Sequence, residues 1–170
     1  TDEFIKSDDQ PVNALRKLKR SSMRLAVNDV GDEMSHGLVS AGNTGALMAM
    51  TKLFLRPIEG ISRPAIAAYF PTITGESCML DLGANIECDA KNLVQFAFMG
   101  QAFANIVMGV NNPSISLLNI GEEEQKGLDY IKEASQILSK LKDQINYTGF
   151  IEGDKIALGI SDVIIADGFS

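Results

Sequence analysis

Apolar and polar positions follow two regimes along this chain: short apolar runs broken by Gly-bearing turns, and longer stretches in which apolar residues recur every three or four positions. The first predicts strands and the second amphipathic helices. Strands are expected at 38–40, 65–70, 78–82, 114–120, 147–151 and 162–167, and helices at 11–30, 44–55, 90–110, 127–141 and 154–158. In the first helix Asp8 or Asp9 is placed to cap and Pro11 to open, with Val12, Leu15, Leu18, Leu25 and Ala26 on one apolar arc. The helix at 44–55 is rich in Ala, Met and Leu, stops before Pro57 and Gly60, and is expected to be largely buried. The helix at 90–110 has little polar surface and is expected under the sheet or against a second subunit. Residues 71–76 are too few to hold a helix, so the strands they join are expected to be antiparallel. Elsewhere strands alternate with helices, which predicts one layered α/β domain over the whole chain, with a mixed, mostly parallel sheet.

The Gly turns carry the candidate chemistry. They fall at Ser40, Ala41, Gly42, Asn43, Thr44 and Gly45; at Asp81, Leu82, Gly83, Ala84 and Asn85; at Asn119, Ile120 and Gly121; and at Asp167, Gly168 and Phe169. Ligands of parallel α/β sheets bind outside the carboxyl ends of the strands, so the four turns are expected to line one edge and share one site. The 40–45 turn offers backbone N–H groups, two hydroxyls and the positive end of a helix, suited to a phosphate or a carbonyl oxyanion. A plain helix N-cap would need only Asn43 or Thr44 and one Gly. The spacing is neither G-x-G-x-x-G nor a P-loop, so no nucleotide is indicated.

Asn85 and Asn119 stand beside glycines, either as turn residues that tolerate a left-handed backbone or as carboxamides that donate to phosphate oxygens. Lys126 either balances Glu122, Glu123 and Glu124 in solvent, or supplies the site's positive charge, or is an amine of lowered pKa. The three glutamates read as first-turn acids of the following helix. Asp81 and Asp167 are orienting carboxylates or turn caps. His36, at the start of its expected strand, is roughly 10 Å or more from the turn at its end, which excludes a Ser-His-Asp triad. Cys78 and Cys88 lack chelating spacing, so two reduced thiols and no metal are expected, with a redox pair as the alternative.

At 170 residues and 45% hydrophobic content the chain can bury a single core. A net charge of -7 argues against non-specific binding to nucleic acid. No apolar run approaches the roughly 18 residues of a membrane span, and the first residues lack a secretion signal, so a cytoplasmic protein is expected. In this acidic chain Arg16, Lys17, Arg20 and Arg24 form a basic stripe, either a solvated helix face or a dock for an acidic partner.

Several short motifs in order resemble one family. Asp9-Gln10-Pro11-Val12, Ser21-Ser22-Met23, S-A-G-N-T-G-A-L from Ser40, Arg63-Pro64-Ala65, D-L-G-A-N from Asp81, Leu93-Val94-Gln95, Met99-Gly100, L-L-N-I-G from Leu117, Lys126-Gly127 and Asp167-Gly168-Phe169 are similar to the bacterial phosphate acyltransferases of phospholipid synthesis, the PlsX type. The resemblance implies a layered α/β/α fold like that of phosphotransacetylases and isocitrate-dehydrogenase-like proteins. It implies transfer of a long-chain acyl group from acyl carrier protein to inorganic phosphate, with no organic cofactor. It further implies a homodimer at the inner face of the membrane beside a glycerol-3-phosphate acyltransferase.

On this resemblance Lys126, Asn119 and Asn85 would be catalytic, with Lys126 either neutralising charge or transiently carrying the acyl group. Ser40, Gly42, Asn43, Thr44, Gly45, Gly83, Gly121, Asp167 and Gly168 would bind phosphate or the acyl carbonyl, and the basic stripe would dock the carrier protein. The family's opening strand and the helices after its Thr-Gly-Asn motif have no counterpart between Thr1 and Ser170, and Ser170 replaces the Thr. A fragment is therefore expected. A short-chain phosphotransacetylase acting on a coenzyme A thioester, or a non-catalytic carrier-protein or phosphate-binding module, are the alternatives.

Overall fold

The computed structural model describes residues 1–169; Ser170, at the family's Thr position, lies outside the described residues. The chain forms two compact units, Thr1–Pro64 and the remainder from Ala65.

The first unit is helical: α1 (Pro11–Lys17), α2 (Ser22–Gly31) and α3 (Thr44–Phe54). The one helix expected over 11–30 is two, because Ser21 competes locally for backbone groups. Its hydroxyl donates to Leu18 O (2.8 Å) and accepts from Arg24 N (3.4 Å), closing one helix and capping the next. Neither expected aspartate caps α1. Gln10 holds that position without a side-chain bond, and Asp9 accepts from Lys6 N at 2.9 Å.

The break also rotates the apolar arc. Ala14, Met23 and Val27 are buried with Ala46 and Met50 of α3, whereas Val12 and Leu25 are exposed. Only Ala46 and Met50 of α3 are fully buried, so that helix is half exposed rather than largely buried. Residues 38–40 form no strand, and Val39 is fully exposed. Among the described residues this unit contains no other strand to complete a hydrogen-bonded ladder.

The second unit is an α/β fold. Its strands β1 (Ala67–Thr72), β2 (Gly75–Leu80), β3 (Ile115–Leu118), β4 (Tyr147–Ile151) and β5 (Val163–Ile165) make a sheet of order β1-β2-β5-β3-β4. As expected, β1 and β2 form an antiparallel hairpin and the other pairings are parallel. Central β5 is buried along its whole length.

Alternation along the strands splits the core. Leu80, Leu117 and Ile165 meet Phe96 of α4 (Ala90–Phe103) and Ile131 and Leu138 of α5 (Asp129–Ser139). Met79, Ile151, Ile164 and Ala166 form a smaller cluster with Ile156 of the 3-10 helix Gly153–Leu158. The helix expected at 90–110 is α4 followed by a π-helical turn, Ala104–Met108, that ends at left-handed Gly109.

Cys78 and Cys88 are free thiols, and burial pushes the Cys78 thiol up to about 11. A Cβ on Gly100 would stand 2.5 Å from Val163 Cγ1 and 3.3 Å from Leu80 Cδ1, so α4 lies this close to the sheet because Gly100 has no side chain. Gly100→Ala is expected to lower stability by about 1–3 kcal/mol through overpacking, read from the urea unfolding midpoint.

Candidate active site

Leu80 pairs with Ile165 and Ile165 with Leu117, so β2, β5 and β3 end level with one another. At about 4.8 Å between neighbours, the three turns that follow leave the sheet within roughly 10 Å. These are three of the four turns expected at strand ends. The fourth, at 40–45, follows no strand and lies in the helical unit.

Asp81 organises the first of the three. Its side chain is 1% exposed; Oδ1 accepts from Ile66 N (2.8 Å) and Ala84 N (3.1 Å), and Oδ2 from Asn85 N and Nδ2 (both 2.8 Å). The sequence reading of a turn cap therefore describes Asp81 well. Asn85 is drawn inward onto this carboxylate. Gly83 and Gly168 both have positive φ, and a Cβ on Gly168 would meet Asn85 O at 2.5 Å and Gly83 N at 3.3 Å. The turns after β2 and β5 thus touch where only glycine fits.

Asp167 is held from two sides. Oδ1 accepts from Phe169 N at 2.9 Å, and Oδ2 accepts the hydroxyl of Tyr130 at 2.5 Å. The Cys88 thiol donates to Asp167 O at 3.3 Å. Tyr130 stands in the first turn of α5, so this contact ties α5 to the turn after β5. Burial, reinforced by the Asp167 bond, holds the Tyr130 hydroxyl above the usual tyrosine range. The sequence reading missed Tyr130, for which the only signal was a phenol just beyond the Lys126-Gly127 motif, and took Cys88 as a free thiol without its place beside Asp167.

The third turn belongs to Asn119 and Lys126. Asn119 is 7% exposed, and its Nδ2 donates to Gly121 O (3.0 Å) and Lys126 O (3.1 Å), closing residues 119–127 into a loop. Its Oδ1 is buried without a partner and lies against Gly127, where a Cβ would collide with it. Lys126 Nζ pairs with Glu123 Oε1 at 2.8 Å, with both side chains about half exposed. That hydrogen bond raises the Lys126 pKa and lowers that of Glu123. Lys126 is therefore kept as an ammonium, and the lowered-pKa amine among the sequence readings does not fit this geometry. Glu122 pairs with Lys155 at 2.6 Å. Because α5 begins only at Asp129, these glutamates precede the helix rather than occupying its first turn.

In the first unit the 40–45 turn is an N-cap. Asn43 Oδ1 accepts from Ala46 N (2.9 Å), while Nδ2 donates to Lys6 O, Ser7 O (both 3.2 Å) and Asp9 O (2.9 Å). Ser40 Oγ accepts from Gly42 N at 3.2 Å. Thr44 and Gly45 open α3. Of the basic stripe, Arg16, Lys17 and Arg20 are exposed. Arg24 instead stacks over Phe54, 3.1 Å from the ring centre, and donates to Asn28 Oδ1 at 3.0 Å. His36 is exposed in an irregular segment. Among the described residues no three His, Cys, Asp or Glu side chains gather as metal ligands, and no helix is long and apolar enough to cross a membrane.

The Tyr130 to Asp167 contact has a pH signature. A tyrosine whose folded pKa is raised contributes stability that is complete below its unfolded value, about 10, and is lost as pH rises through the folded value. Tyr130→Phe is expected to cost about 1–2 kcal/mol at pH 7 and to flatten the fall in stability above about pH 10, read from chemical denaturation at both pH values.

Comparison with known proteins places these turns in context. The chain is 53% identical over 170 residues to the phosphate acyltransferase of Rhodospirillum centenum, covering all of this chain and 48% of that protein. It is 52% identical to the phosphate acyltransferase of Shewanella sp. (strain ANA-3), covering 99% of this chain and 49% of that protein. The chain thus spans about half the length of the curated relatives it matches. Among solved structures, a phosphotransacetylase from Streptococcus pyogenes superposes with a TM-score of 0.72 at 17% identity, covering 90% of this chain and 52% of that one, which shows a shared fold. The model of the family described as "Fatty acid synthesis protein" matches residues 1–170, and the chain belongs to that family.

Proposed function

We propose that this chain is the part of a phosphate acyltransferase that holds phosphate and the acyl carbonyl, and that the enzyme takes its fatty acyl group from acyl carrier protein. The observation that carries the reading is the convergence of three Gly turns at neighbouring parallel strand ends, one bearing the Lys126 ammonium, in a chain about half identical to proteins named phosphate acyltransferase. Phosphate is already an oxygen nucleophile at neutral pH. The protein's task is to align it with the thioester carbonyl and stabilise the oxyanion. A phosphate oxygen bonds to the carbonyl carbon, the carbon–sulfur bond breaks, and the proton of HPO4 2- ends on the carrier thiol, leaving acyl phosphate.

In this reading Lys126 exchanges Glu123 for the incoming phosphate and offsets its charge. Their half-exposed pair is open to such exchange. Gly83, Gly121 and Gly168 let the backbone approach the ligand, and Asp81 and Asp167 shape the turns. Asn85 and Asn119 have structural bonds here, so their contribution to catalysis is to present the turns as well as to contact substrate. In the helical unit Ser40, Gly42, Thr44 and Gly45 offer a second anion-holding turn, with Asn43 as its scaffold. The enzyme acts as a homodimer, without an organic cofactor, in the cytoplasm at the inner membrane face, and hands its product to a glycerol-3-phosphate acyltransferase.

Replacing Lys126 by Ala is expected to lower phosphate-dependent thiol release from palmitoyl carrier protein by about 100-fold or more. Unchanged release would remove Lys126 from the mechanism. Release from acetyl coenzyme A but not from the carrier protein would favour a short-chain phosphotransacetylase instead. Arg16, Lys17 and Arg20 supply the docking surface for the acidic carrier. Reversing the charge of Lys17 and Arg20 is expected to weaken carrier-protein binding about tenfold at low salt, with the difference shrinking as salt screens it. Titration calorimetry at two ionic strengths checks this. Arg24 is left out of that test because its packing on Phe54 gives it a structural role.

A further inference from the structure

The Lys126 turn is tied to the sheet at two places. Asn119, at the end of β3, donates from Nδ2 to Lys126 O at 3.1 Å. Beyond Lys126, in the first turn of α5, the Tyr130 hydroxyl donates to Asp167 Oδ2 at the end of β5. Only Gly127, Leu128 and Asp129 lie between, and Leu128 O already accepts from Ile131 N and Lys132 N, so this stretch has little slack. The Tyr130 ring packs against the main core, which holds its hydroxyl at the sheet edge. Asp167 carries the connection onward. It is 5% exposed, and its Oδ1 accepts from Phe169 N, which sets the turn at Gly168. That turn abuts Asn85 O and Gly83 N so closely that a Cβ at 168 has no room. The phenol therefore joins the turn that carries the ammonium to both glycine turns beside it.

We propose that Tyr130 is a positioning residue for anion binding: through Asp167 it fixes the spacing between the Lys126 turn and the glycine turns after β2 and β5, so that one phosphate meets both. An anion held by groups on separate turns gains from each of them only if their spacing is set before it arrives. Without the phenol, Asp167 Oδ2 loses a donor where water does not replace it, and the start of α5 is free to shift together with Lys126. Burial and the Asp167 bond keep the hydroxyl protonated well above neutral pH, so the donor persists wherever the enzyme works. The inference rests on the reading of these turns as a phosphate site, and it is read from binding alone, without any reaction.

Titration calorimetry of the purified protein with inorganic phosphate tests this in a double-mutant cycle. Tyr130→Phe, which keeps the ring, is expected to weaken phosphate binding about tenfold. Lys126→Ala is expected to weaken it at least as much. The double variant is expected to bind no more weakly than Lys126→Ala alone, because once the ammonium is gone its placement no longer matters. Tyr130→Met fills similar space without a hydroxyl and is expected to repeat the Phe result. Gly100→Ala, at the contact of α4 with the sheet, is the stability control and is expected to leave phosphate affinity unchanged. Unchanged affinity in Tyr130→Phe, equal fold losses with and without Lys126, or a matching loss in Gly100→Ala would overturn the proposal and leave the phenol a purely structural role. If the expected pattern appears while thiol release from palmitoyl carrier protein proves independent of phosphate, the positioning role stands and the acyl-transfer reading fails.

Discussion

The turns at the sheet edge depend on one buried carboxylate. Asp81 sits at the end of β2 with almost no exposure, and such a group is tolerable only where hydrogen-bond donors replace water. Three backbone N–H groups and the Asn85 carboxamide converge on it, which fixes the path of residues 81–85. That path brings Asn85 O and Gly83 N so close to residue 168 that a Cβ has no room there. The shape of two turns on adjacent strands therefore follows from satisfying one side chain. Losing any of its donors would leave a desolvated acceptor, so this corner is rigid for an electrostatic reason.

A second latch ties the helix layer to the same edge. Tyr130 reaches from the first turn of α5 to Asp167 after β5, while Asn119 closes the 119–127 loop that leads into α5. Three departures from local rules fall on that loop: an unpartnered amide oxygen, an aliphatic residue at a helix N-cap, and a glycine whose Cβ would strike Asn119. Sequences that fold well agree with their own local preferences nearly everywhere, and exceptions concentrate where function outweighs stability. The Lys126 turn holds three such exceptions within residues 119–128.

Much of this was legible from the pattern of residues. The hairpin of β1 and β2 follows from a connection too short for a helix, and β4 follows from Tyr147, Phe150 and Ile151 bounded by turn residues. Asp81 and Asp167 were readable as turn caps because a carboxylate beside Gly commonly bonds the backbone ahead of it. The strand expected at 38–40 failed because three extended residues gain nothing without a neighbouring strand, and a one-dimensional pattern holds no information about neighbours. The continuous helix at 11–30 failed because periodicity averages over many positions, while a single serine that caps in both directions decides the break. That break in turn moved Val12 and Leu25 to the surface and drew Arg24 onto Phe54.

The residue order alone determined the family, the alternation of strands and helices in the second unit, and which turns carry glycine, since these depend on local sterics and on ordered short motifs. The tertiary structure decided the rest. Pairing set the order β2-β5-β3, which brings turns far apart in sequence to one edge, and no local preference encodes that adjacency. Burial decided that Tyr130 holds Asp167 and that Asn119 faces inward, because hydrogen-bond partners distant along the chain are chosen by packing.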